Sequence, residues 1–150
     1  MTDAGYYAQK WLQRTNALEK SLEAGKLSLL ELEARINGGI AHYSISGIHG
    51  SAPGHTREDL IADYVDKQTA LKNLCARLLS EDIITYRALE KHIESHVYIA
   101  LLFERYINRT PWQIISKKTG KGKSTLFIMH RDALEALGAT ILPGAADPEQ

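Results

Sequence analysis

The chain has 150 residues, 18 Lys/Arg against 18 Asp/Glu, 44% hydrophobic residues and one cysteine. This length suits one domain, or one domain with an extended arm. A single cysteine excludes an internal disulfide and fits a reducing cytoplasm. The N-terminal MTDAGYYAQKWLQR has no apolar signal core, and no apolar run approaches the roughly 18 residues that a membrane span needs. A cytoplasmic protein without membrane contact is therefore expected.

Strand signals are scarce, and Ala, Leu, Glu, Lys and Arg dominate the periodic segments, which predicts an all-α fold. Residues 4–23 read as a helix with Tyr7, Trp11, Leu18 and Leu22 near one side. Gly25 interrupts or kinks it, and 27–36 continue in the same style with Leu29, Leu30, Leu32 and Ile36. The stretch GGIAHYSISGIHGSAPGH, 38–55, lacks helical period and reads as a long loop. Thr56 can cap the next helix. That helix carries Leu60, Ile61, Tyr64, Val65, Leu71, Leu74, Cys75 and Leu78, and runs on through Ile83, Ile84, Tyr86, Leu89 and Ile93. A helix of roughly 35 residues, about 50 Å long, needs a partner along it. The first segments, folded back antiparallel, supply one, so 1–95 reads as a helical hairpin serving oligomerisation or a partner.

Residues 96–137 carry three short helices. The first is apolar at Ile99, Leu102, Phe103 and Tyr106 and breaks at Asn108-Arg109. Thr110 is a good N-cap, with Pro111 in the first helical position. The second helix runs from Trp112 to about Lys118, with Ile114 and Ile115 inward, and Gly120 ends it in a left-handed conformation. The third starts near Ser124, turns Leu126, Met129, Ala133, Leu134 and Leu137 inward, and stops at Gly138. Trp112 is expected in the core, beside Tyr106 and Leu126. The tail, 139–150, has two prolines and two acids and is expected to be flexible.

Charge follows the same division. Residues 109–123 hold five cations (Arg109, Lys117, Lys118, Lys121, Lys123) and no acid. Across 96–137 there are seven Lys/Arg against three Asp/Glu, net +4, whereas 1–95 hold eleven against thirteen, net −2. A basic turn before a recognition helix is the electrostatic footprint of contact with DNA phosphates. A helix-turn-helix over 96–138 is thus the expected DNA-binding domain.

The segments ALLFERYINRTPWQIISKKTG and STLFIMHRDALEAL resemble region four of bacterial sigma factors. More closely, they are similar to phage late-gene transcriptional regulators of the RinA/ArpU type. Arg105-Tyr106-Ile107, Thr110-Pro111-Trp112, and His130 before Ala133-Leu134 carry the resemblance. It covers about 40 residues well and extends weakly over the chain, because those regulators also have an N-terminal helical hairpin. It implies a phage or prophage regulator that contacts RNA polymerase or forms a homo-oligomer. The chain departs from the pattern at Gly122, where a Ser/Thr cap is expected, and at Phe127 and Ile128, where more polar residues are expected. Both apolar residues point outward if Leu126 and Met129 point inward. They could meet thymine methyls or a protein partner.

Other motifs carry less. GKGKST at 120–125 lacks the glycine and the preceding strand that a phosphate-binding loop requires. His92 and His96 have helical metal-ligand spacing, but a third ligand would have to come from His42, His49 or His55, and a solvated helix-end pair is the simpler reading. Cys75 falls on the apolar side of its helix and reads as a buried, inert thiol. No nucleophile–base set or acidic cluster suggests catalysis, and no cofactor or metal is expected.

A sequence-specific, DNA-binding transcription regulator is therefore expected. Ser124, Thr125, Ile128 and Arg131 would meet base edges, and Arg109, Lys117, Lys118, Lys121 and Lys123 would meet phosphates. Two other readings stay open. One is a small terminase-like DNA-packaging subunit. The other is a helical protein-interaction module, with Phe127 on the partner surface.

Overall fold

A computed structural model describes residues 1–46 and 56–141, with side chains at 1–38 and 56–141. The chain is all-helical, and no strand occurs among the described residues. In chain order the elements are α1 (Asp3–Leu12), a 3-10 turn (Gln13–Thr15), α2 (Asn16–Ser46), α3 (Arg57–His92), α4 (His96–Leu102) with a π-helical continuation (Phe103–Ile107), α5 (Trp112–Thr119) and α6 (Lys123–Ile141). No described helix is long and apolar enough to cross a membrane.

The chain divides into two compact units, Asn16–Leu79 and Met1–Thr15 with Ser80–Gln150. The first holds α2 and the first part of α3. Among the described residues, Leu22, Leu32, Leu60 and Leu78 are its buried apolar side chains. Gly25 lies inside α2, which passes through it without interruption. A Cβ there would stand 2.5 Å from Leu71 Cδ1, so the leucine fills the space that the glycine leaves. Nearby, Lys67 Nζ donates to Ser28 Oγ at 3.0 Å.

Several sequence expectations change here. The backbone stays helical to Ser46, so 38–46 are not loop. Gly38 and Gly39 each cost about 1 kcal/mol of propensity, which a helix already nucleated upstream can absorb. The remainder of the expected loop, 47–55, lies outside the described residues. Cys75 is exposed rather than buried. Leu60, Tyr64, Leu71, Leu74 and Leu78 form the covered stripe of α3, and Cys75 stands one residue off it. Thr56 does cap α3, and reciprocally: its Oγ1 accepts from the Asp59 N–H at 3.2 Å, and Asp59 Oδ2 accepts from the Thr56 N–H at 3.2 Å.

The second unit takes in α1 and the end of α3, which the sequence reading groups with the hairpin. Its core joins Ala8 and Leu12 of α1, Leu89 and Ile93 at the end of α3, Leu102 of α4, and Ala133, Leu134 and Leu137 of α6. Arg14 ties the 3-10 turn to α3. It donates to Glu81 Oε2 at 3.0 Å and to Thr85 Oγ1 at 3.0 Å, and its guanidinium lies 4.0 Å over the Trp11 ring. His92 closes α3 while His96 opens α4, so the two sit on different helices and the helical metal spacing does not hold. No group of three possible metal ligands occurs among the described residues.

α6 does not stop at Gly138 but continues to Ile141. The glycine is there for a neighbour: a Cβ on it would stand 2.0 Å from the Ala4 carbonyl oxygen and 2.4 Å from its carbon. Gly5 of α1 is covered by side chains instead: an added Cβ would meet Met1 Cγ at 2.5 Å and Glu135 Cγ at 3.1 Å. Gly138 thus lets α1 and α6 approach until backbone touches backbone. Residues 139–141 of the expected tail are helical, and 142–150 lie outside the described residues. Gly138→Ala isolates this contact. In an open helix the change raises stability by roughly 0.5–1 kcal/mol, whereas against the Ala4 backbone it should cost about 2–3 kcal/mol. Thermal melts should therefore move down by several degrees, and an upward shift would mean that α1 does not lie on Gly138.

Candidate nucleic-acid interface

The site begins where the first of the three C-terminal helices changes pitch. Asn108 N–H donates to Phe103 O at 3.0 Å and Thr110 N–H to Glu104 O at 2.9 Å, so the chain leaves the helix through a wide π turn. Arg109 then takes φ 57°, left-handed and strained for a residue with a Cβ. Its side chain offsets that strain. Nη1 and Nη2 donate to the two Asp82 carboxylate oxygens at 3.1 and 2.9 Å, a fork-to-fork pair between mostly covered groups. The sequence reading places Arg109 at a phosphate, but its guanidinium is committed to α3.

Thr110 does not cap α5. Its hydroxyl donates to Glu104 Oε2 at 2.7 Å, and Pro111 occupies the capping position without a side-chain bond. This bond is the main cause that holds the Glu104 carboxyl below its usual range, with Asn108 and Lys118 adding to it. Ile115 is buried with Leu101 and Leu126 in a second small core, with Trp112 and Met129 against it. Ile114, expected inward, is 41% exposed, because consecutive helical positions lie 100° apart and Ile115 takes the inward one.

Gly120 ends α5 at φ 69°, as its position in sequence predicts. Ser116 Oγ then donates to the Lys121 carbonyl at 2.6 Å, and Thr119 Oγ1 accepts from the Lys121 N–H at 3.3 Å. The turn is therefore held by its own hydroxyls. Gly122 O accepts from the Leu126 N–H at 3.0 Å and opens α6 without any side-chain cap.

Leu126, Ala133, Leu134 and Leu137 of α6 are buried, as the sequence period requires. Ser124, Thr125, Ile128 and Arg131 are all exposed, and so are Phe127 and the four lysines 117, 118, 121 and 123. Lys118 Nζ lies 3.4 Å from Glu104, and Arg131 pairs with its neighbour Asp132 at 3.2 Å. Both are surface pairs of the kind worth roughly 0–1 kcal/mol, readily exchanged for another anion. Of the nine expected contact residues, all but Arg109 reach the outer surface of this segment.

Under this surface lies a polar-aromatic cluster that sequence reading does not single out. The Tyr106 hydroxyl and His130 Nε2 share a hydrogen bond of 2.8 Å. The Trp112 ring meets His130 edge-on at 4.9 Å, and Arg105 lies 5.0 Å over Trp112. His130 follows Leu126 by four residues, on the same inward stripe, and that spacing is the signal that would have placed it inside. Burial pushes its imidazole down to about 4, with the Arg105 charge adding to the effect.

The pH dependence follows in sign. A histidine protonated less readily in the folded state binds its proton first in the unfolded chain. Stability from His130 is thus complete above its ordinary value of 6.5 and is lost as pH falls toward about 4. His92, lowered by burial and by Lys91, acts in the same direction. Melting temperatures taken between pH 6.5 and 5, above most carboxylate titration, should fall with pH. His130→Gln, which keeps a partner for Tyr106, should flatten that slope. An unchanged slope would place His130 in solvent.

No family model, curated protein or solved structure matches this chain.

Proposed function

We propose that this protein is a DNA-binding transcription regulator in which α5, the Gly120–Gly122 turn and the first half of α6 act as a helix-turn-helix. The observation that carries this reading is the outward surface of α6. Ser124, Thr125, Ile128 and Arg131 stand exposed there, next to an acid-free run of lysines from 117 to 123. Side chains of this size on the first turns of a helix suit base edges in a major groove, and lysines in the preceding turn suit phosphates. The two-core packing supports it too, since α6 is gripped from inside through Leu126, Ala133, Leu134 and Leu137 while Lys123, Ser124 and Thr125 stay exposed.

Phosphate contact falls to Lys117, Lys118, Lys121 and Lys123, and Arg109 positions the turn through Asp82. The unit Asn16–Leu79 serves as an oligomerisation or polymerase-contacting arm, since Leu27, Leu30, Ile61 and Val65 of its two helices are exposed. The protein works by binding, without a catalytic step.

Charge reversal at the turn tests the reading. Lys121→Glu with Lys123→Glu should weaken binding to all duplexes alike. It should also lower the slope of log affinity against log salt by about 0.9 for each phosphate that the turn no longer neutralises. Duplex titrations at several salt concentrations measure both. Wild-type protein that binds no duplex at low salt would refute the proposal.

A further inference from the structure

The outward surface of α6 combines two features that polar readout alone does not need. Ile128 is 52% exposed between Ser124, one turn before it, and Arg131, one turn after. Phe127 is 44% exposed at its side, and it is held there. Its ring meets Trp112 edge-on at 5.6 Å, and Lys123 Nζ lies 5.6 Å from its centroid. A fixed aromatic ring loses little conformational freedom on binding, so its position is prepared before a partner arrives.

What covers these two side chains must also satisfy the charge around them. Lysines 117, 118, 121 and 123 surround the α5–α6 turn, and residues 109–123 hold no acid. The partner is anionic at the rim and apolar where Ile128 and Phe127 meet it. Ser124 and Thr125, both short, let α6 come close to that partner. Duplex DNA with thymines in the major groove fits this combination: phosphates line the edges, and the thymine 5-methyl is the apolar group on the groove floor.

Resting on the proposed function, we infer that Ile128, with Phe127 beside it, reads thymine 5-methyl groups, so that the selected site holds A·T pairs opposite the middle of α6. Ser124 and Thr125 hydrogen-bond to neighbouring bases. Arg131, whose exposed pair with Asp132 opens at little cost, reaches a guanine or a phosphate beyond them.

The test uses the full chain and a duplex library with a randomised core of about one helical turn, 10 bp. Enriched duplexes are remade with deoxyuridine for thymidine, which removes the methyls and leaves charge and pairing unchanged. Wild-type protein should enrich A·T pairs and bind the uracil form about fourfold more weakly for each methyl that is read. Ile128→Ala, at an exposed position and checked by thermal melting for intact folding, should lose most of the difference between the two forms, with Phe127 keeping the remainder. Equal wild-type affinity for the two forms overturns the inference and leaves DNA binding standing. Failure to enrich any duplex overturns the proposed function itself, and this inference with it.

Discussion

The contact between Gly138 and the Ala4 backbone governs how the C-terminal unit is built. α6 has to be covered along one side and left clear on the other. The cover comes from α1, a segment more than a hundred residues away in sequence, and it works only at backbone range. Gly138 makes that approach possible at a cost of about 1 kcal/mol in helix propensity. In return Leu12, Leu134 and Leu137 are almost wholly buried, each worth roughly 1.5–3 kcal/mol. Burial outweighs propensity, which is why Gly138 sits inside a helix that it would otherwise end.

The second constraint is the exit from α4. The π turn at Phe103–Ile107 and the left-handed Arg109 are both locally unfavourable, at about 1–3 kcal/mol for such a backbone. They persist because neighbouring groups over-determine them. Asp82 of α3 takes the Arg109 guanidinium in a bidentate pair, and Glu104 takes the Thr110 hydroxyl. Together these set the direction in which α5 leaves, and hence where Lys117 and Lys118 end.

The inward stripe of α6, the long α3 with its Thr56 cap, the left-handed Gly120 and the outward placing of Ser124, Thr125, Phe127 and Ile128 were legible in the sequence. Each rests on helical period or on one residue's backbone preference, which are local properties. What was not legible depends on a distant partner. Gly138 and Gly25 look like breakers until Ala4 and Leu71 fill the space beside them. Arg109 looks like a phosphate ligand until Asp82 takes it. His130 looks like a polar surface residue until Tyr106 and Trp112 enclose it. Thr110 fits a capping pattern, but Glu104 competes successfully for its hydroxyl.

Burial also sorts the cations into two kinds. Arg14 and Arg109 are largely covered; Arg109 holds the Asp82 carboxylate with two hydrogen bonds and Arg14 holds that of Glu81 with one, so that removing a carboxylate strands a partly desolvated charge. Among the described residues, Lys117, Lys121 and Lys123 form no ion pair, and Lys118 forms one weak surface pair. Arginine's planar fork suits the first task, and the compact, well-hydrated lysine head suits the second. Lysines on the outside leave the charge of the turn undiminished and within about one Debye length of whatever approaches α6. A chain of zero net charge can therefore direct a net positive field from one segment, because its acids serve the interior pairs and the other segments while the turn carries none.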